Sequence, residues 1–192
     1  MGLLVASVFL VTLLLSVPIG IVLGLCALAG LYYLSPDFLL LFPQHVINGI
    51  NSFTLLAIPL FILAGNIMGS GGIARRIVNM MLSLVGRVQG GLGMVVILST
   101  MFFSGVCGSA SADTAAIGSI TMPEMRKKGY PSPFATSILA SAGGTSTLVP
   151  PSIDLIVIGV VGGMSIGGLF AAGILPGAVN ALALIALVWV FA

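Results

Sequence analysis

Apolar residues follow one another through this chain in segment after segment, with almost no charge between them. Of its 192 residues 59% are hydrophobic and 5% are charged, where a water-soluble domain carries about 25% charged residues. Water-facing positions need polar cover, so a soluble fold of this size cannot hide that much apolar surface. Unbroken apolar runs of span length are the signature of transmembrane helices, and the chain reads as an all-α polytopic membrane protein. One cleaved signal peptide does not account for the pattern, because the segments recur to the end.

The net charge of +2 is too small to suggest nucleic acid as a partner. The basic side chains form two groups, Arg75, Arg76 and Arg87, then Arg126, Lys127 and Lys128. Basic residues beside span ends stay in the cytoplasm, so both groups are assigned there. Cys26 and Cys107 lie far apart in apolar surroundings and read as small packing residues, not as a disulfide or metal site. His45, beside Pro43 and Gln44, has no second His or Cys near it and is not expected to bind metal.

Leu3 to Leu34 is one apolar run interrupted at Ser16-Val17-Pro18. A span needs about 20 residues, so the run is long for one helix and short for two. Pro18 suits the first turn of a second helix, which favours two short helices with a tight turn; one long kinked helix is the alternative. Ser35 to Asn51 reads as an external loop, Leu55 to Met68 as the next span, and Gly69 to Gly72 as its end. Ile73 to Val88 is basic and amphipathic. Arg76, Asn79, Ser83 and Arg87 form one stripe, and Ile77, Met80, Met81 and Leu84 cover the other side. Such a helix suits the cytoplasmic interface, or is an ordinary positive-inside connection.

Gly91 to Phe103 is apolar, Ser104 to Asp113 small and polar, and Thr114 to Met122 apolar again. As one spanning helix this segment would put Arg87 and Lys127 on opposite sides of the membrane. A re-entrant hairpin over 91–123 keeps both basic groups cytoplasmic. Residues 132–166 read as a discontinuous helix: Pro133 to Ala142 is helix-like, Gly143 to Ser152 cannot be regular helix, and Ile153 onward is apolar. Pro150 and Pro151 lack backbone donors and block the preceding turn. Gly162-Gly163 and Gly167-Gly168 bracket an external turn, and Leu169 to Val190 is the last span. With two helices in the first run, about five spans cross, the N-terminus is external and the C-terminus cytoplasmic. An odd count would make a second copy insert upside down, as in inverted-repeat transporters. The run Leu187 to Ala192 stops without a basic flank, which suggests the first half of a longer protein.

Irregular backbone at membrane depth persists only where protein, water or a bound ion satisfies it. If the two breaks face one another, their carbonyls and hydroxyls could coordinate Na⁺, a hard cation taking oxygen ligands. Half-helix N-termini could face a carboxylate. The candidate site residues are Ser104, Gly105, Gly108, Ser109, Ser111, Asp113 and Thr114 at the tip. At the second break they are Gly144, Thr145, Ser146, Thr147, Val149, Pro150 and Pro151. Ion ligands are expected among Ser104, Cys107, Ser109, Gly144, Thr147 and Pro150. Asp113 and Asp154 are the acidic residues at membrane depth. Each either handles ion or substrate or caps the helix that it begins. Ser109 and Ser111 alternatively serve close helix packing. Glu124, Arg126, Lys127 and Lys128 read as a solvated cytoplasmic cluster.

Five stretches, Ala57 to Gly65, Gly72 to Arg76, Phe103-Ser104-Gly105 through Asp113-Thr114, Gly129-Tyr130 and Val149 to Ile153, resemble the large permease (M) subunit of tripartite ATP-independent periplasmic (TRAP) transporters, in its N-terminal half. The resemblance runs through essentially the whole chain. It implies a bacterial inner-membrane, multi-pass permease, not an enzyme, with Na⁺ as coupling ion and no organic cofactor. The partners implied are a small four-helix membrane subunit and a periplasmic substrate-binding protein that delivers dicarboxylate, sialic acid or a similar carboxylate. It also implies an elevator mechanism. Residues 1–72 would then be scaffold, 73–90 an arm helix, 91–166 part of the moving domain and 167–192 the last transmembrane helix. The tip Ser104 to Asp113 and the break Gly144 to Pro151 would form one Na⁺ site and one wall of the substrate site. Cys107 and Asp154 depart from the small or uncharged residues expected there.

Two other classes bear on the same residues. An intramembrane hydrolase would pair Asp113 with Asp154, or a serine with His45, but His45 lies outside the membrane on this topology and neither Asp follows Gly-x-Gly. A structural or assembly subunit offers no reason to keep two Gly/Ser/Pro breaks within the bilayer.

Overall fold

The computed structural model describes residues 1–191, and every regular element among them is helical. The chain forms two compact units, Met1–Ser52 and Phe53–Ala192.

In the first unit α1 (Gly2–Leu14) and α2 (Ile19–Leu34) are separate helices, as the expectation of two short helices had it. Ser16, at φ +57, turns the chain, and Pro18 stands at the N-cap position of α2. Ser35 to Asn51 is not the open loop expected: it holds a 3-10 helix at Pro36–Leu41 and α3 at Phe42–Ile50. Its prolines fall in first turns, where the missing N–H has no intrahelical partner to lose, so they start helices here.

The second unit begins with a 3-10 turn, Phe53–Leu56, running into α4 (Ala57–Ser70). Next come α5 (Ile73–Val85), α6 (Gly91–Cys107) and α7 (Ala110–Lys127). They are followed by α8 (Ser132–Ser146), α9 (Ile153–Gly162) and α10 (Ile166–Phe191). Phe53–Ser70 and Ile166–Phe191 are long and apolar enough to cross a membrane, while α1, α2, α6 and α9 are apolar but shorter. The 26 residues of α10 extend about 39 Å at 1.5 Å per residue. Its Leu175, Leu182 and Trp189 are exposed, a surface that hydrocarbon solvates without cost and water does not.

α6 is the axis of this unit. Twelve of its seventeen residues are buried, so it is enclosed by protein along most of its length, with Phe102 exposed. Leu92, Val96 and Ile97 pack with Met125 of α7, Ala135, Ile138 and Leu139 of α8, and Ala181 and Val188 of α10. Val95, Phe103 and Cys107 pack with Ile117 of α7 and with Ala74, Val78 and Met81 of α5. The buried stripe of α5 thus follows the 74, 78, 81 spacing that returns to one face of a helix. Of the apolar side expected for this helix, Met81 is buried, whereas Met80 and Leu84 are exposed, one position off that stripe.

Three further boundaries differ from expectation. α6 continues through Ser104 and Gly105 to Cys107, and α7 resumes at Ala110, so the hairpin turn is Gly108-Ser109 alone. α8 runs through Gly143 to Ser146, leaving Thr147 to Ser152 as the break. Glycine and serine weaken a helix by about 1 kcal/mol or less yet keep their N–H groups, whereas proline removes the donor. Finally, Gly167 and Gly168 lie inside α10: Gly163 (φ +63) closes α9, and Ser165 Oγ accepts the Gly168 N–H at 3.3 Å, starting the last helix there.

Adjacent glycines of α8 test this packing. A Cβ on Gly143 would run into Thr114 Oγ1 on α7, while one on Gly144 would meet nothing within 4 Å. Gly143→Ala is expected to lower the melting temperature of the detergent-purified transporter by roughly 2–10 °C. Gly144→Ala should leave it unchanged or raise it slightly, since alanine is the better helix former. Equal behaviour of the two would contradict the α7–α8 contact.

Candidate functional site

The hairpin tip and the α8–α9 break meet. Ser104 Oγ, near the end of α6, donates to the Ser146 carbonyl at the end of α8 at 2.8 Å. The Gly108 carbonyl accepts the Ile153 N–H at the start of α9 at 3.1 Å. Each break thereby supplies a partner that the other lacks, as backbone away from water requires. Gly108 makes the approach possible. Its φ of +65 is left-handed, and a Cβ there would lie 2.8 Å from the Pro151 carbonyl oxygen. Gly105 faces Pro150 in the same manner, with room for 3.7 Å.

Asp113 lies at the centre of this junction. It is fully buried in the first turns of α7, where a helix N-terminus favours negative charge. Ser146 Oγ stands 3.3 Å from Asp113 Oδ2 and also 2.8 Å from the Gly143 carbonyl. Asp113 Oδ1 has no hydrogen-bond partner among the described residues. The carbonyls of residues 147–151 likewise accept no hydrogen bond among them. A buried acceptor left open, as Asp113 Oδ1 is, is costly. The donor set is all oxygen, and no cluster of three His, Cys, Asp or Glu occurs among the described residues. Such chemistry suits a hard cation of low charge, not a transition metal.

Residues 6–192 match the family of the tripartite ATP-independent periplasmic transporter, DctM component. The chain belongs to this family. The 2,3-diketo-L-gulonate TRAP transporter large permease protein YiaN of Escherichia coli is 44% identical over 162 residues, covering 84% of this chain and 38% of that protein. The sialic acid TRAP transporter large permease protein SiaM of Vibrio cholerae is 41% identical, covering 88% and 40%. The C4-dicarboxylate TRAP transporter large permease protein DctM of the same organism is 38% identical, covering 92% and 39%. The chain thus spans about two fifths of the length of these curated relatives.

Within this DctM-family chain, the structure gathers Ser104, Gly105, Gly108, Asp113, Ser146, Pro150 and Pro151 at the junction. Other candidate residues are occupied locally. Ser109 stands at the N-cap position of α7, and its hydroxyl pairs with that of the exposed Ser111, Oγ to Oγ 3.3 Å. Thr114 Oγ1 donates to the Ala110 carbonyl, and Thr147 Oγ1 to that of Gly144. Val149 lies against Gly177 of α10. Thr145 is buried and accepts from Asn180 Nδ2 of α10 at 2.9 Å. Cys107 is buried and presses on α4, where a Cβ on Gly65 would sit 2.9 Å from its Sγ. Asp154 is exposed in the first turn of α9, and no hydrogen bond joins it to Asp113.

Two contributors were missed from sequence. Ser152 is buried and caps α9, accepting the Leu155 N–H at 3.5 Å; a serine directly before an apolar run is a start signal that reveals this. Asn180 was legible as a lone amide in an apolar helix, a costly residue that calls for a partner. If Gly108 is what allows the two breaks to meet, Gly108→Ala should open them. Hydrogen exchange at the Ile153 amide should accelerate about tenfold or more, from the left-handed strain alone. Unchanged exchange there would contradict the junction.

Proposed function

We propose that this chain forms the membrane permease part of a Na⁺-coupled secondary transporter that imports small organic acids. On this reading it lies in a bacterial inner membrane, works with a small four-helix membrane subunit, and receives its cargo from a periplasmic substrate-binding protein. The observation that carries the proposal is the buried Asp113, with one carboxylate oxygen open, between two helix breaks in an apolar chain. An intramembrane carboxylate is expensive and is kept for a task. Family membership and the printed substrates of relatives, which are small organic anions (carboxylates and, in one relative, the sulfonate isethionate), support the same class.

Na⁺ would be held by Asp113 and by carbonyls of the break, with Ser104 and Ser146 keeping the two sides in register. The ion would satisfy acceptors that have no protein donor and would neutralise the carboxylate. The cargo's own carboxylate would then face the N-termini of α7 and α9, which carry partial positive charge. Binding of one ligand would lower the ordering cost of the other, which is a coupling free energy between sites. The five-span topology, the re-entrant insertion of α6–α7, the arm role of α5 and elevator movement of the second unit's hairpin belong to this proposal. A hydrolytic dyad finds no support, since Asp154 is exposed while Asp113 is buried.

The test is substrate uptake against Na⁺ concentration in vesicles containing the complete transporter. Asp113→Asn is expected to raise the half-saturating Na⁺ concentration by about tenfold or more, as loss of a charge-assisted ligand does. Ser146→Ala should raise it by a smaller factor at unchanged expression. Wild-type Na⁺ dependence in both variants would sink the site. Na⁺-independent uptake by the wild type would sink the coupling.

A further inference from the structure

Arg75 is exposed at the start of α5, and the one ion pair among the described residues joins Lys127 to Glu124. Its guanidinium therefore has no carboxylate partner there. It lines two hollows. One, of about 710 Å³, lies between α4, the start of α5 and the hairpin, with Gly65, Ala112 and Ala115 as walls and Asn66 and Ser119 as polar groups. The other, of about 370 Å³, follows α5 and the second half of α7 towards Glu124. Arg75, Ser119 and Ile120 line both, so the two adjoin along α7; the first is the groove that meets the hairpin. Its inner end touches Cys107 and Ala112, on either side of the hairpin turn, while Asp113, Ser104 and Ser146 do not line it. The groove is separate from the ion junction and abuts it.

Its size falls in the range of small-molecule sites. Small side chains on α4 and α7 leave the space open, and the only full positive charge facing it is Arg75. A cation in a low-dielectric cleft concentrates anions, and a guanidinium matches a carboxylate or sulfonate with paired N–H groups. We propose that this groove is a second binding site for a small organic anion, with Arg75 holding its charged head and Asn66 and Ser119 its polar groups. It would hold the cargo beside the hairpin turn, before or after occupancy of the ion junction; in this respect it rests on the transport reading above.

The test needs no transport. Ala115, exposed on the groove wall, is changed to cysteine (Ala115→Cys) in the complete transporter, reconstituted in phosphatidylcholine vesicles so that no anionic headgroup competes. Both native cysteines are buried, and the unsubstituted chain sets the background. The probes are two thiol reagents of similar size, the anionic sulfonatoethyl and the cationic trimethylammonioethyl methanethiosulfonates. Adding Arg75→Gln should slow the anionic reagent about fivefold without slowing the cationic one, whereas Arg76→Gln, outside the groove, should change either rate by less than about twofold. An unchanged ratio in Arg75→Gln, an equal effect of the two arginines, or no modification by either reagent would overturn the site. Na⁺ dependence of uptake, read in the same vesicles, reports separately on the transport proposal. Adding anionic phospholipid in a further arm distinguishes a headgroup ligand: strong suppression of labelling by lipid alone would overturn the assignment to a soluble anion.

Discussion

Two hydrogen bonds hold the second unit's interior together where its helices stop: Ile153 N–H to the Gly108 carbonyl, and Ser104 Oγ to the Ser146 carbonyl. In water such ends would be solvated at little cost. In an apolar chain each break must find its partner in protein, and here each finds it in the other. Much of the surrounding architecture serves that meeting. Gly108 and Gly105 allow two backbones to approach, Ser152 restarts α9, and Asn180 steadies Thr145 two residues before the break. The satisfaction is incomplete at Asp113 Oδ1 and along the carbonyls of residues 147–151, and that incompleteness is what makes the junction a candidate for an ion.

The setting of the junction follows from α6. Because α6 is buried along most of its length, the tip that it carries is held from two sides, by α5 and α7 on one and by α8 and α10 on the other. The tip position is therefore determined by a packed core and not by a loop. α4 meets the hairpin closely where Gly65 faces Cys107, and a hollow lined by Ala112, Ala115 and Ser119 opens between α4 and α7. A packed tip, a break bonded to it, and an adjoining groove lined by Arg75 are the features on which the proposals of an ion site and of an anion site beside it rest.

Much of this was legible from sequence because the signals are strong in an apolar background. Two helices before Leu34, a hairpin around Gly108 and an interruption at Pro150-Pro151 each follow from residues that stand out when almost everything else is Leu, Ile, Val or Ala. What could not be read is instructive. The breaks were expected to be wide, from Ser104 to Asp113 and from Gly143 to Ser152, because small polar residues resemble turn formers. Their N–H groups nevertheless continue the helices, and only Gly108-Ser109 and Thr147 to Ser152 leave them. Ser35 to Asn51 reads as loop from its composition, whereas Pro36 and Pro43 both stand in the first turns of helices. Asp113 and Asp154 have the same local sequence logic and opposite fates, buried and exposed, a difference that tertiary packing alone decides.

The central claim is that the hairpin turn and the Pro-Pro break act as one ion-dependent unit. The most direct measurement is hydrogen–deuterium exchange of the complete transporter in Na⁺ against K⁺ at equal ionic strength. It would be read at peptides covering 104–114 and 145–156. The account predicts that Na⁺ slows exchange in both segments together, with the same half-saturating concentration, and leaves the buried first half of α6 unaffected. Protection of one segment without the other, or no difference between the two cations, would contradict it.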